Sequence, residues 1–252
     1  MDMKIAGAIS STFIDYPGKM AFVAFASGCN YRCPACHSKK VVHASIDESQ
    51  MFDEKKIFQK IRAMEGWIDG IVICGGEPTL QADLQEFAEK LRRHARVKLD
   101  TNGSMPDVLE EALRRKSVDY LAMDIKGPRE IYPLVTGIEA DVSKVEESMK
   151  ISSKFPDYEF RTTVVPVIQP DGKIRWLSVE EAEEMAKWTV RTAGSNQHKY
   201  FLQRFVARSK EEMMDERLSK EQLPKEMHET PENLMARIYE AMQKHLPNIR
   251  AR

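Results

Sequence analysis

From residue 20 onward, short continuous apolar runs alternate with stretches in which apolar residues recur every three or four positions. Runs of roughly four to eight apolar residues suit strands buried on both faces, and the wider spacing suits amphipathic helices. The pattern predicts strands at 20–27, 70–74, 97–100, 120–125, 158–165 and 200–206. Between them, Phe52, Ile57, Phe58, Ile61 and Met64 form one helical stripe, and Leu84, Phe87, Ala88 and Leu91 form another. Further helices are expected at 108–113, 142–151 and 179–190. Such alternation is the pattern of βα units on a parallel sheet. Six units rather than eight point to an α/β fold with parallel strands, an open partial TIM-like (β/α)6 barrel.

The flanks differ. Residues 5–14 can add a strand or hairpin before the barrel. Residues 208–229 are dense in charge and poor in apolar positions, which predicts a solvated connection with some helix. Helical periodicity returns at 234–246 through Leu234, Ile238, Ala241 and His245. No internal repeat or low-complexity linker interrupts the chain, so 1–252 is expected to be one domain. It divides into an N-terminal extension at 1–19, the barrel at 20–206, and a charged connection with a helix at 207–252.

Composition narrows the function classes. Of 252 residues, 42% are hydrophobic and 31% charged, with a net charge of -1. No broad basic field is present, so nucleic acid is not an expected partner. The apolar runs are too short to cross a bilayer, so no membrane association is expected. Clustered thiols and the lack of a secretory apolar segment predict a reducing, cytoplasmic setting.

Those thiols carry the chemistry. Three of the four cysteines, Cys29, Cys33 and Cys36, fall in one loop directly after the first strand, spaced C-x3-C-x2-C. Thiolates select zinc or iron-sulfur clusters, and three of them leave a coordination position for a non-protein ligand. A structural zinc site needs a fourth donor. His37 is adjacent to Cys36 and awkward for that purpose, whereas His43 and Cys74 remain candidates. A complete disulfide set cannot form from three clustered cysteines.

Other unusual residues also fall where predicted strands end, the place where parallel α/β folds bind ligands. Gly75-Gly76-Glu77-Pro78 follows the second strand, Asp100-Thr101-Asn102-Gly103 ends the third, and Asp124-Ile125-Lys126 ends the fourth. The glycines allow close approach or unusual dihedrals, and Pro78 stiffens the loop. Taken alone, the first segment is a strand-to-helix turn, the second an Asx turn, and Asp124 with Lys126 a surface ion pair on one face. Arg161-Thr162-Thr163, Gln203 and Arg204 are further candidates near the barrel mouth. Cys74 reads as a small buried hydrophobe on its strand.

The cysteine loop with Asn30-Tyr31-Arg32 and its Cys-Pro-x-Cys-His ending resembles that of radical S-adenosylmethionine enzymes, in particular the branch that activates glycyl-radical enzymes. The resemblance implies a 4Fe-4S cluster on Cys29, Cys33 and Cys36, with S-adenosylmethionine chelating the remaining iron. It implies further that Gly75, Gly76, Glu77 and Pro78 hold the cofactor's amino group and that Lys126 pairs with its carboxylate. Asp124 helps shape the site, with a monovalent cation as a further candidate there, and Asp100, Thr101 and Asn102 supply polar contacts. Ala35 departs from the family, which carries an aromatic residue near the adenine, and Tyr31 and His37 are candidates to replace that contact. Asp15-Tyr16-Pro17-Gly18 resembles the Asp-Gly-Pro-Gly of the activases and makes Asp15 a candidate substrate contact.

Within that branch the chain is most similar to activating proteins of anaerobic ribonucleoside-triphosphate reductase. The implied partners are that reductase's large subunit and a flavodoxin- or ferredoxin-type reductant. Two alternatives stand beside this reading: the same radical chemistry on a small molecule or nucleoside, and a non-catalytic zinc or electron-transfer module.

Overall fold

The computed structural model describes residues 3–45 and 51–252; the first two residues of the expected 1–19 extension lie outside them. The strands are β1 (Ile5–Thr12), β2 (Ala21–Ala26), β3 (Gly70–Gly75), β4 (Arg96–Thr101), β5 (Tyr120–Asp124), β6 (Tyr158–Val164), β7 (Pro166–Ile168), β8 (Ile174–Trp176), β9 (Tyr200–Arg204) and β10 (Ile249–Ala251). Eight of them form one sheet in the order β1-β2-β3-β4-β5-β6-β9-β10. Every neighbouring pair from β2 to β10 is parallel, and β1 is antiparallel to β2. The sheet is an open partial TIM-like barrel. All six expected strands lie in its center.

Its helices are α1 (Lys39–Val42), α2 (Glu54–Ala63), α3 (Leu84–Leu91), α4 (Pro106–Arg115), α5 (Tyr132–Thr136), α6 (Val142–Ser152), α7 (Val179–Ala193) and α8 (Glu232–Gln243). Local chemistry sets their ends. Asp53 caps α2 by accepting from Lys56 N at 2.7 Å. This cap excludes Phe52 from the expected helical stripe, and its N–H instead donates to Ile5 O at 3.0 Å. A capping box of Ser178 and Glu181 starts α7, and Gly194 ends it at φ 78°, the left-handed turn that glycine tolerates.

Strand alternation sorts the core into two faces. Phe22, Ala24, Ile71, Ile73, Val97, Leu99 and Leu121 pack outward against helices. Ala21, Val23, Val72, Tyr120 and Ala122 point into the barrel. Register then puts Lys98 inside as well, since it pairs with Val72 on one side and Tyr120 on the other.

Tyr16 closes the barrel at the strand N-termini. Its ring lies 5.5 Å from that of Tyr120, and a Cβ on Gly70 would meet it at 2.5 Å. Asp15 is held at this end by Thr12 Oγ1, which donates to it at 2.9 Å. The Asp15–Gly18 turn therefore serves as part of a plug.

Two features differ from the sequence pattern. The hairpin of β7 and β8 follows β6, and β10 adds a further parallel strand; each of these strands is only three residues long and carries no readable period. Residues 208–229 are also more than a solvated connection. Met213, Leu218 and Leu223 are buried with Phe205 and Ala207, against Ala35 and Trp176. These apolar residues are spaced too widely to register as helix or strand. The segment straps across the cysteine loop: Met214 N donates to Cys36 O at 2.8 Å, Asp215 N to Pro34 O at 3.2 Å, and Lys39 N to Glu212 O at 3.1 Å.

The plug is testable. Tyr16→Ala leaves a void at the barrel base and is expected to lower unfolding stability by about 3 kcal/mol, measured by denaturant titration. A change below about 1 kcal/mol would show that the base is solvated and the plug unimportant.

Candidate active site

A cavity of about 460 Å³ opens at the carboxyl ends of the strands, and its wall includes Cys29, Cys33, Cys36, Gly75, Gly76, Asp124 and Lys126. The cysteine loop forms one side of it. Gly28 N donates to Val41 O and Cys29 N to Val42 O, which anchors the loop on α1. Within the loop, Tyr31 N donates to Cys29 Sγ and Ser38 N to Cys36 Sγ, both at 3.4 Å. Burial raises the Cys29 thiol, and the Tyr31 bond works against it by favoring the anion. Burial opposes this form and pushes the free Cys33 thiol up to about 12, with Lys126 acting the other way.

The loop after β3 is fitted against the cysteine loop. Gly76 N donates to Ala26 O at 2.9 Å and Glu77 N to Gly28 O at 2.8 Å. A Cβ on Gly76 would lie 1.9 Å from Gly28 O, and one on Gly75 would lie 2.4 Å from the Ala26 backbone. Gly75 also holds φ at 122°. These two positions exclude any side chain.

Glu77 is buried, and its carboxylate faces inward. Its oxygens accept from Thr79 N and Oγ1, Thr101 Oγ1 and Asn102 N at 2.6–3.1 Å. The side chain thus braces the end of β3 to that of β4. Burial raises its pKa, against the four donors that lower it. Asn102 extends the brace: its Nδ2 donates to Asn30 Oδ1 at 3.0 Å, and its Oδ1 accepts from Ser104 N at 2.9 Å.

On the opposite wall, charges interlock. Arg161 donates from Nη1 to Asp100 Oδ2 and from Nε to Asp124 Oδ1, both at 2.8 Å. Lys98 holds the second oxygen of Asp100, and Lys126 Nζ holds that of Asp124 at 2.9 Å. Burial alone would raise both carboxyls, but Arg161 and the lysines outweigh it and hold both below the ordinary range.

Most sequence candidates therefore meet at one place. Tyr31, His37, Glu77, Asp100, Thr101, Asn102, Thr163, Gln203 and Arg204 also line the cavity. Pro78 is buried beside it, starting a 3-10 turn. Asp15 is not among the lining residues. Thr162 faces away, donating to Ile125 O. The strand pattern missed Lys98, although it alternates with Asp100; the same pattern makes Phe205 and Val206 the end of a strand that stops at Arg204, and Arg208 carried no signal, because the strap has no period.

Cofactor fit can be judged from the donors. Three cysteines share one cavity wall without a disulfide. The buried Tyr31 hydroxyl has no hydrogen-bond partner among the described residues. Among the described residues, no three His, Cys, Asp or Glu side chains converge closely enough for a single metal ion. A polynuclear cluster spreads its cysteines over separate irons and needs no such convergence. The donor set fits a cluster.

Residues 23–171, more than half the chain, match the Radical SAM superfamily. The chain belongs to this superfamily, which implies a 4Fe-4S cluster and S-adenosylmethionine. It is 32% identical over 238 residues to a protein of Methanocaldococcus jannaschii provisionally named a glycyl-radical enzyme activating enzyme, covering 90% of this chain and 88% of that one. It is 32% identical over 152 residues to the pyruvate formate-lyase-activating enzyme of Streptococcus mutans, covering 53% of this chain and 56% of that one. A provisionally named GTP 3′,8-cyclase of Thermococcus kodakarensis is 27% identical over 165 residues, 64% of this chain and 52% of that one. Among solved structures, coproporphyrinogen III oxidase of Escherichia coli superposes with a TM-score of 0.58 at 16% identity, covering 93% of this chain and 54% of that one. A domain of the pyruvate-formate lyase-activating enzyme of Bacteroides vulgatus gives 0.50 at 12% identity, covering 73% and 98%. These superpositions agree on the fold.

The paired carboxylates predict a pH dependence. Asp100 and Asp124 have folded pKa values below their unfolded ones, about 3.9, so their stabilisation is present above that value and lost as pH falls below it. Denaturant titrations from pH 6 to pH 3 should show stability falling at the acid end, with a shallower fall in Asp124→Asn. An equal fall in both proteins would place the acid sensitivity elsewhere.

Proposed function

We propose that this chain is a glycyl-radical-enzyme activase working as one domain in the cytoplasm. The observation that carries the reading is the meeting of the three cysteines, the Gly75–Gly76 backbone and Lys126 in one cavity at the strand ends. Cys29, Cys33 and Cys36 would hold the cluster. Lys126 offers an ammonium to the cofactor carboxylate, and the carbonyls of the Gly75–Gly76 loop offer acceptors to its amino group. When bound, the cluster and S-adenosylmethionine supply a one-electron reductive cleavage that releases methionine and a 5′-deoxyadenosyl radical, which takes a hydrogen atom from the substrate. The electron comes from a flavodoxin- or ferredoxin-type donor.

Substrate choice rests on two supports. The relative matched along most of both chains is named as an activating enzyme. The cavity is also within the size range of a single small ligand, so with cofactor inside, an extended glycine-bearing loop is the kind of substrate that can reach in from the mouth. We assign that loop to anaerobic ribonucleotide reductase on the strength of the Asp15–Gly18 and cysteine-loop motifs. The match to a GTP cyclase keeps small-molecule or nucleoside chemistry as the second reading.

Anaerobically reconstituted protein given dithionite and S-adenosylmethionine is expected to form 5′-deoxyadenosine. Cys33→Ala should lose both this product and the cluster absorbance; retention of both would overturn the cluster assignment. With an added reductase subunit, a glycyl radical signal by electron paramagnetic resonance supports the activase, whereas a small-molecule product without a polypeptide radical supports the second reading. One zinc per chain with no cleavage would remove both.

A further inference from the structure

We infer that Arg161 is a built-in replacement for a bound monovalent cation, a positioning residue that bridges Asp100 and Asp124 and so presents Lys126 to the cavity. The role toward Lys126 rests on the cofactor site proposed above; the bridge itself does not.

Two carboxylates facing each other across neighboring strand ends repel unless a cation lies between them. Asp100 ends β4 and Asp124 ends β5, and the register pairs Asp100 with Ala122 and Asp124 with Arg161. A small hydrated ion could fill the gap by shedding water onto carboxylate oxygens. Here the guanidinium fills it. Its Nη1 and Nε each reach one carboxylate at 2.8 Å, while Lys98 and Lys126 take the remaining oxygens. All four oxygens thus face a protein cation. Three cations against two carboxylates leave the cluster net positive, which disfavors an added ion.

Arginine suits this place better than lysine. Its planar fork can bond two acceptors at fixed directions and stays charged when buried, and the Arg161 side chain is only 10% exposed. Lys126 shares Asp124 with it and is 30% exposed toward the cavity. Removal of Arg161 leaves one lysine on each carboxylate and frees one oxygen of each, so Lys126 is drawn into the vacated gap instead of facing a ligand. Glu159, two residues before Arg161 on the same face of β6, does not compete for it. Its own oxygens are taken by Tyr120 Oη at 2.6 Å and Arg252 at 2.8 Å.

The test measures S-adenosylmethionine affinity of reconstituted protein by calorimetry, and unfolding temperature of the same samples, in potassium, sodium or tetramethylammonium salts of equal ionic strength. Wild type is expected to bind with affinities within about twofold of one another, with an unchanged unfolding temperature. Arg161→Ala in tetramethylammonium should bind about tenfold more weakly or worse. Potassium or sodium should restore most of that loss by entering the gap. Arg161→Lys, which keeps the charge but cannot span both carboxylates, provides a variant less prone to misfold and should show a smaller, still cation-sensitive loss. A wild type that needs potassium or sodium would overturn the proposal, as would variants whose affinity ignores the cation. If wild type binds no S-adenosylmethionine in any salt, the cofactor reading fails, while the unfolding temperatures still judge the bridge.

Discussion

The arrangement of the site depends on one close approach, that of the Gly75–Gly76 backbone to the start of the cysteine loop. With a Cβ on Gly76 only 1.9 Å from Gly28 O, the contact exists because position 76 has no side chain. Two backbone hydrogen bonds then tie the loops together through Ala26 O and Gly28 O. Glu77 passes the constraint onward, since it leaves the same turn and is bonded to Thr101 and Asn102 of the next strand end. Asn102 returns it to the cysteine loop through Asn30. The circuit closes on itself, so the start of the cysteine loop, up to Asn30, is positioned by strand ends, and the strap fixes its far end at Pro34 and Cys36.

A pairing of this kind makes Glu77 costly to alter. Its four acceptor bonds counter part of the desolvation that burial imposes on a carboxylate. The residue thus resembles a keystone more than a ligand contact in this structure. Part of the sequence motif that suggests cofactor binding is therefore explained by packing: two glycines for clearance, a carboxylate for bracing, and Pro78 for the turn that follows.

This explains what could be read in the chain before the fold was known. Strands buried on both faces produce continuous apolar runs, and strand-end motifs carry residue types that stand out at once. Periodicity at α3, α6 and α7 was equally plain, because each has one buried face. Lys98 was legible in principle from alternation with Asp100, yet a lysine inside an apolar run reads as an interruption. Arg161 showed no sign of bridging two strands, since such a contact depends on register across β4, β5 and β6. The packing of the N-terminal turn was not legible either: Tyr16 precedes β2 and packs at the strand N-termini on Tyr120 and Gly70, a contact that depends on the barrel closing around it.

The least legible part also accounts for the odd residue of the cysteine loop. Ala35 sits between Pro34 and Cys36, whose carbonyls accept from the strap at Asp215 and Met214. Its methyl group packs on the cluster of Phe205, Met213 and Leu218. A large side chain at position 35 would occupy the space that these residues fill, so a small residue there and a tightly laid strap belong together. Phe205 and Val206, which lead from β9 into the strap, and Arg208 at its start join the cavity wall with His37. The apolar surface that the loop itself lacks is thus supplied by Phe205 and Val206 just after β9, held there by a strap whose charge density gave no hint of its buried residues.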